Sequence, residues 1–482
     1  MRIVRVLVPA FAALIGLSSI LAAYAGSLIQ LSSDPFTNST SQHRTEVEPD
    51  TFAFGSTIVS AFQVGRFFNG GASDIGFATS TNGGKTFTSG FLTGITNNTT
   101  PAGAYFRASD PSVAFDAMHG FWIISYLGIN AQGTAPVDLR VSTSPDGLTW
   151  GQSIPVNTDG HFNDKNWTVC DDTASSPFYG NCYTEFDDNT LSDLEQMSTS
   201  TDGGLTWRPS LATGQHLHGI GGQPLVQPDG TVIVPVAGFA SRGGDVNAFS
   251  STNGGASWGQ TTRIADVIAH RPAGGLRNGL GLPSAEIDGA GKVYVTWPDC
   301  RFEPGCTAND LVFSTSTNGT NWSPVTRIPL DSIGSGVDHF IPGLAVDRST
   351  SGGTAHLALA FYFYPNANCT TATCELDVGS STSSDGGATW TSNMQLAGPM
   401  SLTWLANTSQ GFMVGDYIST SFSGGPAFAA FAVASSPSKG VFDEAIHTVR
   451  GGLSVTGQGN AAHDQRTIPS NGTDTSSNQT WR

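Results

Sequence analysis

The chain has 482 residues, a net charge of −17 and only 12% charged residues. Such an acidic balance repels nucleic acid and anionic membranes, and the four lysines nowhere gather into a basic patch. With 59 glycines, many Ser and Thr and few Leu or Glu, the composition disfavours long helices and favours short strands joined by turns, an all-β class.

At the start, Arg2 and Arg5 precede an apolar run from Val6 to Ala23 that ends in the small-residue triplet Ala23-Tyr24-Ala25. This pattern predicts a signal peptide over 1–25, cut after Ala25, and a secreted chain with no membrane insertion after cleavage. An uncleaved anchor fits less well, because Pro9, Gly16 and the Ser18-Ser19 pair interrupt the run and no positive charge follows it. The region 26–450 is expected to fold as one unit, and 451–482, polar and rich in Gly, Ser and Thr, is expected to be disordered.

One pattern then recurs six times: Ser80-Thr-Asn-Gly-Gly-Lys-Thr-Phe87, Ser144-Pro-Asp-Gly-Leu-Thr-Trp150, Ser200-Thr-Asp-Gly-Gly-Leu-Thr-Trp207, Ser251-Thr-Asn-Gly-Gly-Ala-Ser-Trp258, Ser316-Thr-Asn-Gly-Thr-Asn-Trp322 and Ser383-Ser-Asp-Gly-Gly-Ala-Thr-Trp390. Asp or Asn can accept backbone N–H bonds inside a tight turn, Gly takes positive φ, and the closing aromatic buries itself. A spacing of roughly sixty residues is about one four-stranded propeller blade. Ahead of the boxes run apolar strands such as Thr57–Phe62, Gly120–Tyr126, Thr231–Val236, Lys292–Trp297 and His356–Phe361, read here as the strands nearest a central channel. After the last box, Gly415–Ser421 and Ala427–Val433 repeat the strand pattern without a box. The expectation is a β-propeller of seven blades, with six as the alternative. Six blades carry a box, and an N-terminal strand near Ser27–Ser32 closes the last.

Six cysteines fall as three close pairs, Cys170 with Cys182, Cys300 with Cys306 and Cys369 with Cys374. In an exported chain these read as local disulfides, since no pair has CxxC spacing and no histidine is interleaved.

The six segments resemble the Asp box of the sialidase (neuraminidase) superfamily, whose boxes sit on the blade rim away from the active site. The resemblance implies a carbohydrate-active exo-glycosidase acting on a terminal acidic sugar. Family members hold the substrate carboxylate with three arginines, protonate the leaving group with an Asp, and attack with a Tyr activated by a Glu. By order in the chain, Arg44 in His43-Arg-Thr-Glu-Val-Glu-Pro49, Arg66 and Arg301 stand for the arginines, Asp74 for the acid, Glu286 for the base and Tyr417 for the nucleophile. Glu286 stands where Ser112-Val-Ala-Phe-Asp116 and Gly343-Leu-Ala-Val-Asp347 have alanine, and a carboxylate in such a place needs a purpose or a partner. Between Arg301 and Tyr417 only Arg327 and Arg348 stand, neither on an expected channel strand. This leaves open a non-catalytic glycan- or protein-binding propeller, and also a polysaccharide lyase using Tyr417 or His339.

Further channel-mouth candidates are Asp110, the run Asp164-Lys165-Asn166-Trp167, the pair Asp338-His339 and Asp416. They suit sugar hydroxyls or a structural calcium ion equally well. No cofactor is implied, and the expected partner of a monomeric protein is a glycan or glycoconjugate. No HExxH motif or Walker loop is present.

Overall fold

Strand pairing along the chain is almost entirely between sequence neighbours, which is what short turns between apolar runs dictate. The computed structural model describes residues 22–23, 26–240, 243–278 and 281–455. The expected signal peptide, but for residues 22–23, and the tail from 456 lie outside the described residues. Among the described residues no helix is long and apolar enough to cross a membrane.

Among the described residues the antiparallel pairing falls mostly into seven successive groups of strands, with a separate hairpin, Ala406–Thr408 with Gly411–Met413, between the sixth and the seventh. The first is Gln42–Phe54, Thr57–Arg66, Ala72–Ser80 and Thr88–Phe91. The second is Arg107–Asp116, Phe121–Ile129, Val137–Ser144 and Ile154–Asn157. The third is Asn163–Cys170, Cys182–Asp188, Leu194–Ser200 and Leu211–Ala212. In the fourth, two short strands, Gly219–Ile220 and Leu225–Val226, both pair with Val232–Ala240, followed by Gly243–Ser251 and Thr262–Asp266. The fifth is Ser284–Ile287, Val293–Asp299, Asp310–Ser316 and Thr326–Arg327. The sixth is Asp338–Val346, Leu357–Tyr364, Glu375–Ser383 and Met394–Ser401. The seventh is Ser419–Phe422, Ala427–Ala434 and Glu444–Val449, and its fourth strand comes from the other end of the chain, Leu28–Gln30.

Contacts join the last group to the first. Thr45 pairs with Glu444, and the Thr51 and Ser421 hydroxyls lie 3.2 Å apart. A Cβ on Gly84 would overlap the ring of Phe428, so the first box needs glycine there for the two groups to touch. Of the polar tail, Leu453 is buried and pairs with Ala427 through N–H···O bonds of 2.7 and 2.9 Å. The ordered chain therefore continues past residue 450.

The six recurring segments make one turn. Its Ser hydroxyl accepts a glycine N–H, as from Gly84 at 2.9 Å and Gly204 at 3.0 Å. The Asp or Asn accepts the N–H of the residue before the aromatic, as from Thr206 at 2.9 Å and Thr389 at 2.8 Å. In the two segments one residue shorter, the serine accepts from the glycine three positions on, Gly147 or Gly319, both at 2.9 Å. Trp207, Trp322 and Trp390 each close the turn by donating from Nε1 to a glycine carbonyl at 3.1 Å. Disulfides join Cys170–Cys182, Cys300–Cys306 and Cys369–Cys374.

One reading from the sequence is corrected. The apolar runs such as Thr57–Phe62 and His356–Phe361 are second in their groups, not innermost. A narrow cavity of about 30 Å³ is lined by the strands before them, with Asp50, Val113, Trp167, Gln223, Ser284, Leu344 and Ser419. A second strand is covered on both faces by neighbouring sheets and is mostly apolar, except Cys182–Asp188 of the third group, whereas a strand facing the cavity keeps polar groups for bonds between sheets. Four such bonds have matching register: Val113 N–H to Asp50 at 2.7 Å, Thr168 N–H to Ser112 at 3.1 Å, Ala285 N–H to Gln223 at 2.7 Å and Leu344 N–H to Ser284 at 3.0 Å.

Candidate functional site

Four innermost strands carry the same irregularity at one end of the cavity. Pairing slips between Val47 and Asp50, Ser109 and Ser112, Asp164 and Trp167, and Phe340 and Gly343. Inside each slip one non-glycine residue is left-handed: Glu48 at φ 54°, Asp110 at 50°, Lys165 at 27° and Ile341 at 51°. Such bulges re-aim a side chain away from the ladder, and a left-handed L-residue, three of these four before proline, persists only where its surroundings enforce it.

Three of those residues belong to one charged network. Glu48 is buried; it accepts from the Gln63 amide, and its Oε1 accepts the Asp416 N–H at 3.3 Å. Burial, then Asp110 and Asp416, raises Glu48 to about 8. Burial, then Asp110, raises Asp164 to about 7. Behind it, Asp187 is buried with neither oxygen partnered among the described residues. Burial and then Asp164 hold its carboxyl well above the ordinary range. Arg277 clamps Asp416 through Nε at 2.9 and 3.0 Å and through Nη2.

Two other cations are not matched in this way. Arg66 is buried, donating to Gln63 at 3.2 Å and to the Gly71 carbonyl at 2.8 Å, with Met413 sulfur 3.2 Å from Nε. Lys165 is buried with Nζ 3.6 Å from the centre of the Tyr417 ring and 4.8 Å from that of Trp167. Neither has a carboxylate within 4.0 Å among the described residues. The Tyr417 and Trp167 rings meet edge to face at 5.3 Å, and the Tyr417 hydroxyl donates to the Pro111 carbonyl at 3.0 Å.

Of the residues named from the sequence, the structure brings together Arg66, Tyr417, Asp110, Asp164, Lys165, Trp167 and Asp416. Glu286 lines the same cavity nearer the other end, beside Arg348. Burial raises it to about 7 against the pull of Arg348. The carboxylates acting on Tyr417 are instead Glu48, Asp110, Asp50 and Asp416, and burial first holds its hydroxyl well above the ordinary range. Arg44 lies at the surface against Asp443, its side chain 53% exposed. Asp74 is buried within the first group with both oxygens unpartnered among the described residues, and burial raises it well above the ordinary range. Arg301 is held by Asp299 at 2.7 and 2.9 Å and by the Asp266 carbonyl, at the outer side of the fifth group. Asp338 accepts from Asn309, at 2.8 Å from its N–H and 2.9 Å from its side chain. The set Arg44, Arg66, Arg301, Asp74, Glu286 and Tyr417 therefore does not converge.

Glu48 and Arg277 were missed. Glu48 carries a usable signal, since Glu48-Pro49-Asp50, Asp110-Pro111-Ser112 and Ile341-Pro342-Gly343 repeat one acid- or bulge-proline step at matching register. Arg277 has none, because it enters from a loop between the fourth and fifth groups.

The raised carboxyls set a pH dependence. Glu48, Asp164 and Glu286 bind protons in the folded state up to about 8, 7 and 7, but only to about 4 when unfolded. The folded chain then holds more protons, so stability is full below about pH 4 and falls as pH rises through 7 to 8. Denaturant titrations at pH 5 and pH 8.5 should differ by at least about 1.4 kcal/mol, one unit for one group, in favour of pH 5. Equal stabilities would contradict these protonation states.

No family model and no curated protein matches the chain. Among solved structures, a polysaccharide lyase, an ulvan lyase bound to -[GlcA(1-4)Rha3S]-, is 12% identical over 89% of this chain and 97% of that one, with a TM-score of 0.51. A Trypanosoma rangeli sialidase in complex with sialic acid is 11% identical over 89% of this chain and 59% of that one, TM-score 0.46. A protein of unknown function from Dyadobacter fermentans is 14% identical over 73% and 98%, TM-score 0.45. The lyase match shows a shared fold, in keeping with the all-β build in several sheets.

Proposed function

We propose that the seven strand groups are seven blades of a closed propeller, and that its channel mouth is the site of an exported carbohydrate-active enzyme cleaving a terminal acidic sugar. The observation that carries this reading is the pair of buried cations, Arg66 and Lys165, with no carboxylate within 4.0 Å among the described residues. A buried charge is costly without a counter-ion. With Glu48 and Asp164 protonated, and below about pH 6 Asp50 as well, the mouth then carries Arg66, Arg277 and Lys165 against Asp110 and Asp416. That balance suits one incoming carboxylate. Trp167, half-buried at the cavity, offers a ring to a sugar. Asp164 holds a proton below about pH 7 next to Asp110, the acid and carboxylate pairing that glycoside hydrolysis uses. In this reading Asp164 protonates the leaving oxygen and Asp110 orients the attacking water. Glu286 takes no part, since nothing links it to Tyr417.

A lyase is the second reading, favoured by the Lys165 ammonium against the Tyr417 ring: a uronate neutralised by Lys165 and Arg66 would lose its α-proton to the Asp110 carboxylate while Asp164 protonates the leaving oxygen. Product analysis on sialosides and uronate-containing oligosaccharides separates the two. Hydrolysis releases a saturated acidic monosaccharide, and elimination leaves an unsaturated uronate absorbing in the ultraviolet. No product from any acidic glycan would leave a binding propeller.

A further inference from the structure

Outside the mouth, Asp310, Asp331 and His339 place one ligand atom each within 4.8 Å of one another. Asp310 begins the third strand of the fifth group, His339 begins the innermost strand of the sixth, and Asp331 stands in the connection between the two groups. His339 is fully buried, its ring 5.5 Å from Phe361 and stacked at 6.1 Å on Phe363, so its direction is fixed.

The hydrogen bonds leave a gap of one kind. His339 Nδ1 lies 3.1 Å from the Asn309 carbonyl, which can only accept, so the proton is on Nδ1 and Nε2 carries the lone pair. Nε2 and Asp310 Oδ2 are both buried without a hydrogen-bond partner among the described residues. Arg327 takes one oxygen of each carboxylate, donating from Nε to Asp310 Oδ1 at 2.7 Å and from Nη2 to Asp331 Oδ1 at 2.6 Å, and the more exposed Asp331 Oδ2 accepts from the Ser335 hydroxyl. An imidazole lone pair and an unpaired carboxylate oxygen buried in one cluster repel unless a cation lies between them.

We propose that Asp310, Asp331 and His339 bind a divalent transition-metal ion, with zinc as the best match, and that the ion ties the 331–337 connection to the fifth and sixth groups. One imidazole nitrogen with two carboxylates suits zinc, whereas calcium takes oxygen ligands only. The Nδ1 bond to Asn309 and the Arg327 bonds to the carboxylates are the outer contacts that orient such ligands. Asp331, its side chain 17% exposed, leaves a side for water as the fourth ligand. Two carboxylates, Arg327 and the ion sum to one positive charge, and Glu303, which acts on Asp310 and holds Gly334 N–H at 2.9 Å, offsets it.

The test is zinc titration by calorimetry, with metal content by mass spectrometry, on the full chain stripped with a chelator. One zinc per chain is expected, with a raised melting temperature. The variant His339→Gln should weaken binding by more than the roughly 10–100-fold that losing an outer contact costs, and Asp310→Asn, which keeps size, should do the same. His161→Ala, at the second acidic cluster with Asp159 and Asp188, should bind zinc as wild type does. No zinc binding by the wild type, unchanged binding in Asp310→Asn, or loss only in His161→Ala would overturn the assignment.

Discussion

Replacing Asp164 by Asn should lower turnover of an acidic glycan by about two to four orders of magnitude while leaving its binding within a few-fold. The variant keeps the size of the side chain and its place beside the Lys165 N–H, which Asp164 Oδ1 accepts at 2.9 Å, but it has no acidic proton to give. The same proton governs pH. Because burial and the neighbouring Asp110 raise Asp164 to about 7, wild-type turnover should fall as pH rises through that value, on the limb where the acid is lost. Steady-state rates from pH 5 to 9 on both proteins check this. Unchanged turnover in the variant would remove Asp164 from the chemistry and leave the mouth as a binding site.

Replacing Arg277 by Met should destabilise the fold by about 1–3 kcal/mol, between the cost of losing a surface bridge and that of leaving one member of a fully buried ion pair alone. Its partner Asp416 is only 17% exposed and donates its N–H to Glu48, so the stranded charge would sit beside a carboxyl already raised to about 8. The double variant Arg277→Met with Asp416→Leu should recover most of the loss, because no charge is then stranded. Urea unfolding of the two variants decides the matter. A single-variant loss under about 0.5 kcal/mol would mean the pair behaves as a solvated surface bridge.

The local architecture was legible because it is written in turn chemistry. The six Ser-to-aromatic segments name their own hydrogen bonds, and the short cysteine pairs name their loops. Strand order was misread by one position, since the apolar runs such as Thr57–Phe62 and His356–Phe361 are the ones covered on both faces, not the ones beside the cavity. The site was legible only where it is encoded next to a strand, as with Asp110, Asp164-Lys165-Asn166-Trp167 and Asp416. Order along the chain failed for Arg44, Asp74 and Arg301: each fits a sequence position, but one is solvated, one is buried inside a sheet and one is held by its own neighbour Asp299. Arg277 reaches the mouth from a loop, and a loop's reach across groups has no periodicity to read.

The most direct measurement is calorimetric titration of sialoside and uronate oligosaccharides into wild type and Lys165→Met. The variant keeps the length of the side chain and its contact with the Tyr417 and Trp167 rings but removes the unpaired cation. The predicted result is acidic-glycan binding by wild type that weakens tenfold or more in the variant, the scale of about 1.5–3 kcal/mol for one charge-assisted hydrogen bond, with neutral glycans unaffected. Equal affinity of the two proteins for the acidic glycans, or no binding of them by wild type, would contradict the channel mouth as the carbohydrate site.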